Sequence, residues 1–203
     1  RAEGVPDTTR GGDTRTVRGP AFLEEELAGL RFRISPDAFF QTNTEMSERL
    51  YSLAIEYAGL TGGETVYDLY CGTGTIGLSM AREALTVWGI ESSEESVACA
   101  VENAELNGLA NAAFFAGDVG ADVEELRDRA GPPDVVVVDP PRAGLAGKAL
   151  SAVGALGAAK LSSTGLSDDR HWMMVRPNGR FVTQRELPRM ALIVTSVDGG
   201  AVA

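Results

Sequence analysis

Asp68-Leu69-Tyr70-Cys71-Gly72-Thr73-Gly74-Thr75-Ile76-Gly77 continues directly from the apolar run that begins at Thr65. The run Thr65–Tyr70 reads as a strand. The glycines behind it let the backbone turn tightly and come close to a ligand. The turn opens a helix, whose first N–H groups have no intrahelical partner. Alone such a loop carries little, because many strand-to-helix turns contain glycine. Its weight depends on what flanks it.

Downstream the rhythm repeats. Leu85–Ile90 reads as a second strand, and the helix after it, with Ser92 and Glu95 at its cap, runs to Asn107 and stops at Gly108. Ala112–Phe115 is a third strand, 119–129 a helix, and Val135–Val138 a fourth strand, apolar on both faces as a buried parallel strand should be. Upstream, Phe32–Ile34 reads as a short strand. Thr42-Asn43-Thr44-Glu45 reads as a capping box. The helix it opens sets Met46, Leu50, Leu53, Ala54 and Tyr57 on one face and ends at Gly59 and Gly62-Gly63. Strands alternating with helices predict an α/β fold around a parallel sheet.

Acidic residues recur where these strands end. Glu91 closes the second strand, where a carboxylate can accept hydrogen bonds from both ribose hydroxyls; Asp118 follows the third, placed to reach an adenine amino group; Asp139-Pro140-Pro141-Arg142 closes the fourth. Each has a bland reading: a solvated acid for Glu91, a rigid turn for Pro140-Pro141. Ligands of open α/β sheets bind at the carboxyl ends of the strands, so features at successive strand ends add up to one site. Gly72, Gly74 and Gly77 also fit the spacing of a dinucleotide fingerprint. Asp68 before the loop and Asp-Pro-Pro after the fourth strand are instead the habit of S-adenosylmethionine (SAM) methyltransferases.

Bulk properties narrow the classes. At 203 residues the chain holds one domain and a small extra module. No apolar run is long enough to span a membrane. Residues 1–20 lack a signal-peptide core and read as a flexible lead-in. Cys71 and Cys99 are the only cysteines and His171 the only histidine, which disfavours disulfide scaffolds, metal centres and Ser-His-Asp hydrolysis, and suits a reducing cytoplasmic setting. A net charge of −11 argues against broad nucleic-acid binding through this chain, so tight RNA binding would need parts beyond it.

Three segments carry a specific resemblance. Phe39-Phe40-Gln41-Thr42-Asn43-Thr44-Glu45-Met46, Asp68 through Gly77, and Asp139-Pro140-Pro141-Arg142-Ala143-Gly144 resemble the RNA uracil-C5 methyltransferases, which make 5-methyluridine in rRNA and tRNA; the likeness covers about residues 20–145. It implies a Rossmann-like domain, SAM as cofactor and RNA as substrate. By the same resemblance, Gln41 would touch SAM and Asp68, Gly72 and Gly74 would form the cofactor loop. Tyr70 would line the methionine side through its backbone, Glu91 would hold the ribose and Asp118 the adenine. Asp139 would sit between cofactor and base, with Pro140 and Arg142 on the substrate side. Enzymes that methylate exocyclic amines often carry an aromatic residue at the position of Arg142.

That family attacks uracil C6 with a cysteine from a Ser-Cys-Asn-Pro segment beyond the Asp-Pro-Pro-Arg motif. Here no cysteine follows Cys99, so no catalytic residue is assigned. Cys71 and Cys99 read as small packing residues. Residues 146–163 read as a weak helix and a loop. Trp172–Val175 and Arg180–Thr183 flank Pro177-Asn178-Gly179, a strong hairpin signal. About residues 160–195 resemble the N-terminal β-barrel region of MOSC-domain proteins. The expected organisation is therefore a lead-in (1–20), a SAM-binding domain (21–150) and a β fragment (160–203), with the sheet truncated after its fourth strand and Val135–Val138 near an edge. A SAM-dependent RNA methyltransferase explains the most residues; a non-catalytic SAM-binding remnant and a molybdenum-cofactor-related protein explain fewer.

Overall fold

The computed structural model describes residues 15–36, 38–41, 43–139 and 147–156, and four strands beyond them. In chain order the elements are β1 (Leu23–Leu27), β2 (Leu30–Ile34), α1 (Thr44–Ala58), β3 (Thr65–Leu69), α2 (Thr75–Met80), β4 (Thr86–Glu91), α3 (Glu94–Leu106), β5 (Ala112–Ala116), α4 (Val119–Ala130), β6 (Val135–Val138), α5 (Gly147–Ala155), β7 (Lys160–Ser163), β8 (Met173–Val175), β9 (Phe181–Thr183) and β10 (Ile193–Thr195).

The main sheet has the order β10-β7-β6-β3-β4-β5. Neighbours from β7 to β5 are parallel, and β10 pairs antiparallel with β7. The chain steps outward from β3 to β4 to β5, then crosses back to β6 on the other flank of β3. The strand order therefore reverses between β3 and β6, where α/β sheets open a crevice for a ligand.

Side-chain alternation divides the core between the two faces. On one face Val66, Val87, Val135 and Val137 meet α1, α2, α3 and the β1–β2 hairpin, with Leu27, Leu30 and Phe32 buried among them. On the other, Tyr67, Leu69, Ile90, Val136 and Val138 meet α4 and α5 through Val123, Leu126, Val153 and Leu156. The Tyr67 hydroxyl donates to the Gly131 carbonyl, which satisfies a polar tip inside that layer.

The βα rhythm holds where the sequence predicts it, and four details differ. First, the sheet does not stop after its fourth strand: β7 joins β6 and β10 joins β7, so β6 is interior. The four valines of β6 are all buried, and the N–H and C=O groups on their outer side need partners, which Lys160–Ser163 supply without an apolar run of their own. The predicted tail hairpin forms as β8–β9, in a two-stranded sheet separate from that edge. Second, the cap of α1 is Asn43, whose side chain accepts from Met46 N; Thr42 lies outside the described residues. Third, α1 buries Ser47, Tyr51, Ala54 and Ala58, a stripe rotated from the predicted one, with Leu50 and Tyr57 at its margins. Fourth, Leu23–Leu27 is a strand that the sequence reading misses, paired with β2 through the two-residue turn Ala28-Gly29. No helix among the described residues is long and apolar enough to cross a membrane.

Gly89 shows how tightly the first face is filled. A Cβ there would lie 2.2 Å from Phe114 Cδ1 and 2.9 Å from Cys71 Sγ. Gly89→Ala should therefore destabilise the fold by about 1–3 kcal/mol through overpacking. Gly63→Ala, whose Cβ meets nothing within 4 Å, should stay within about 0.5 kcal/mol of wild type. Urea unfolding of the two variants checks the contrast.

Candidate cofactor site at the strand reversal

The turn after β3 is built by contacts from several directions. Tyr70 N and Cys71 N both donate to the Ile90 carbonyl, at 2.9 and 3.1 Å, tying the loop to the end of β4. Tyr70 takes φ +64, a left-handed conformation that costs a non-glycine residue energy and clusters at functional sites. Gly72 follows at φ +54, and a Cβ there would meet nothing within 4 Å, so its backbone faces open space. Gly74 differs. It caps α2 at φ +81, and a Cβ would press on Phe114 at 3.0 Å and Ala100 at 3.1 Å. Its missing side chain serves the packing of α2 and α3. At Gly77 a Cβ would lie 2.7 Å from Asp68 Oδ2, so the third glycine makes room for the carboxylate.

Asp68 is the buried acid of the site. Its Oδ2 accepts from Gly77 N at 2.9 Å, while its Oδ1 is buried without a hydrogen-bond partner. Burial pushes its carboxyl up to about 7; the Gly77 bond opposes this, and the charges of Asp139 and Glu91 add to it. Asp139, half-buried at the end of β6, donates its N–H to the Leu69 carbonyl at 3.2 Å and so lies across the crevice floor from Asp68. Glu91 turns back toward the loop. One oxygen accepts from Gly72 N at 3.3 Å and the other from Ser93 N at 2.9 Å. Asp68, Tyr70, Gly72, Glu91 and Asp139 are thus brought together.

Asp118 caps α4, with Oδ1 accepting from Ala121 N at 3.0 Å, and its charge helps to raise the Tyr70 phenol after burial itself. It stands on the β5 side of Tyr70. Gln41 is half-buried between β2 and α1, on the wall of a cavity of about 830 Å3 that it shares with Phe22, Ile34 and Phe40. Pro140 and Arg142 lie outside the described residues.

Two residues of the site were not legible beforehand. Tyr51, buried on α1, places its hydroxyl 3.0 Å from Thr75 Oγ1 at the start of α2, with Asp139 and Asp68 both pushing its phenol up after burial. Asn103, fully buried on α3, donates to the Thr73 carbonyl at 3.2 Å. A polar-tipped aromatic in a buried helical stripe is the signal for the first. Asparagines four apart on one helix are the signal for the second. Cys71 is buried beneath the loop, and burial, then Asp68 and Glu91, push its thiol well above the usual range.

A parallel sheet that reverses beside a glycine turn, with acids at successive carboxyl ends, defines a Rossmann-like cofactor-binding domain. The chain belongs to the methyltransferase-domain family, whose model matches residues 60–187. It is 54% identical over 132 residues to an uncharacterized RNA methyltransferase of Caldanaerobacter subterraneus subsp. tengcongensis, covering 65% of this chain and 29% of that protein. A similar protein, the uncharacterized RNA methyltransferase of Protochlamydia amoebophila, is 51% identical over 140 residues, 68% of this chain and 32% of its own length. Among solved structures, the tRNA (uracil-54, C5)-methyltransferase of Pyrococcus abyssi in complex with S-adenosyl-L-homocysteine matches with TM-score 0.62 and 30% identity, over 73% of this chain and 35% of that one. The chain thus spans about a third of the length of these relatives.

Asp68 has a direct signature in stability. Its folded carboxyl binds a proton more tightly than its ordinary value of 3.8 allows. The folded state is therefore favoured while Asp68 is protonated, and that contribution is lost as pH rises from about 4 to about 7. Asp68→Asn keeps an acceptor for Gly77 N and cannot ionise. The stability of wild type relative to Asp68→Asn should fall across that window, as read by denaturant unfolding at a series of pH values. Parallel pH profiles would show that Asp68 is not held protonated.

Proposed function

We propose that this chain is the SAM-binding part of an RNA uracil-C5 methyltransferase. The observation that carries the reading is the buried Asp68 with one oxygen unpartnered, beside a glycine turn whose Gly72 backbone faces open space. An orphaned buried carboxyl oxygen calls for a hydrogen-bond partner, and the ammonium of a methionine moiety would supply one and draw Asp68 into its ionised form. Glu91 at the end of β4 suits a ribose diol, Tyr70 and Gly72 offer main chain to the methionine side, and Asp118 beyond β5 faces the adenine end. Gly74 supports this arrangement by letting α2 and α3 close up. Gln41 would approach from the β2–α1 side.

When bound, SAM supplies an electrophilic methyl group on a sulfonium. The chain's own residues bind and orient it. Asp139, at the end of β6, would stand where a target base meets the methyl group, and the resemblance alone assigns Pro140 and Arg142 to the substrate side. The RNA substrate and the C5 position rest on the relatives' names and on the resemblance of the Phe39–Met46 and Asp139–Gly144 segments. Cys71 and Cys99 are both buried, and the Cys71 thiol is held in its neutral form, which suits neither for attack on a base. In this reading the chain holds the methyl donor and supplies no cysteine nucleophile.

A second reading takes residues 160–203 as a MOSC-like fragment joined to a methyltransferase front. The pairing of β7 with β6 and a family match that runs to residue 187 support a tail built into the sheet instead.

Calorimetric titration of the chain with SAM should give micromolar binding that Glu91→Ala weakens at least tenfold. Tritium release from RNA carrying 5-tritiated uridine reports substitution at C5, and this chain alone should give none. A folded wild type that ignores SAM would sink the cofactor assignment. C5 release by the unaltered chain would sink the claim that it lacks a nucleophile.

A further inference from the structure

The β1–β2 hairpin is fixed to α3 in an unusual way. In β2, alternate residues turn their main-chain N–H and C=O away from β1. Those of Arg31 meet the side-chain amide of Asn107: Arg31 N donates to Asn107 Oδ1 at 2.9 Å, and Asn107 Nδ2 donates to Arg31 O at 2.7 Å. Those of Arg33 meet Asn103 in the same pattern, at 2.7 and 3.1 Å. Two asparagines one helical turn apart thus imitate a third strand of the hairpin sheet.

Asn103 does one thing more. Its other amide hydrogen goes to the Thr73 carbonyl in the glycine turn, at 3.2 Å. Asn103 is fully buried, so both donors and its acceptor are committed inside the protein. Thr73 is itself buried, and its Oγ1 has no partner. The Asn103 bond is the described polar tie at this residue of the turn. A single planar amide therefore ties β2, seventy residues earlier in the chain, to the loop that faces the crevice. If the hairpin shifts, the amide plane must rotate, and its second hydrogen leaves Thr73.

We propose that Asn103 is a positioning residue of the cofactor loop, through which the seating of the β1–β2 hairpin sets the affinity of the loop for SAM. This rests on the assignment of the loop to SAM made above. The hairpin turn is seated by three further hydrogen bonds: Ala28 N donates to Glu48 at 3.0 Å, and Arg82 donates to the Ala28 and Gly29 carbonyls at 3.1 and 2.7 Å. Anything that presses on the hairpin from outside, such as the remainder of a longer protein or its RNA, would be read at Thr73. Such coupling between sites usually spans about 5- to 150-fold in affinity.

Asn107 provides the matched control, because it anchors the same strand and does not touch the loop. In the full chain, Asn103→Ala should weaken SAM about tenfold and speed amide hydrogen exchange at Gly74, Gly77 and Leu78. Asn107→Ala should loosen the hairpin and, because that loosening reaches the loop only through Asn103, weaken SAM less, about two- to fivefold, and add nothing further in the Asn103→Ala background. Equal effects of the two variants on SAM, or loop amides indifferent to Asn103→Ala, overturn the proposal. Should Asn103→Ala fail to fold, native-state exchange in wild type decides: the amides of Arg33 and Gly74 should open together with the same denaturant dependence, and separate openings overturn it. The exchange measurements need no ligand. A wild type that does not bind SAM therefore removes the cofactor assignment, while the link between hairpin and loop is still decided.

Discussion

Everything at the crevice turns on one hydrogen bond, from the Gly77 N–H to the Asp68 carboxylate at 2.9 Å. It fixes the distance between the end of β3 and the first turn of α2, and it forces residue 77 to be glycine, since a Cβ would collide with the same oxygen. A carboxylate buried this deeply is costly unless its oxygens are met. One oxygen is met by the Gly77 N–H, and the other is buried without a partner. The end of β3, the left-handed Tyr70 and the turn of Glu91 toward Gly72 meet around that buried carboxyl at the strand reversal.

Much of this was legible in the sequence because it is local. The run from Asp68 to Gly77 carries its own turn chemistry, the valines of β6 announce a strand buried on both faces, and Glu91, Asp118 and Asp139 fall where strand ends must fall. What stayed hidden depends on partners far along the chain. Leu23–Leu27 carries three consecutive glutamates and has no apolar alternation; it is a strand because β2 pairs with it. Tyr51 lost out to Leu50 and Leu53 in a hydrophobicity pattern, although the packed stripe of α1 runs through Ser47, Tyr51, Ala54 and Ala58. Lys160–Ser163 is a strand for the sake of the exposed side of β6, a demand that no property of those four residues records. Asn103 looks like an ordinary helical asparagine until the hairpin is laid against it.

The site residues divide by the kind of work they do. Gly72 and Tyr70 offer surface to the crevice, and Asp68 lies buried beneath them. Gly74, Gly77 and Gly89 offer vacancy to their neighbours, and the glycine-rich character of the region reflects close packing as much as ligand approach. Packing demands glycine at some positions of such a turn and leaves others free of that demand. The three-dimensional test is what a Cβ would strike, and it separates Gly72 from Gly74 although only one residue lies between them.

The pair of asparagines at the end of α3, Asn103 and its cap Asn107, also bears on how the chain behaves in a crowded solution. A two-stranded sheet normally leaves two open edges, each a template on which another chain could add a strand. Here the side-chain amides of Asn103 and Asn107 occupy the outer edge of β2. The remaining edge belongs to β1, where Glu24, Glu25 and Glu26 are all exposed. A strand approaching that side would meet a row of negative charge on a protein that is already acidic overall. Among the described residues the hairpin is thus closed to self-association by amides on one side and by repulsion on the other.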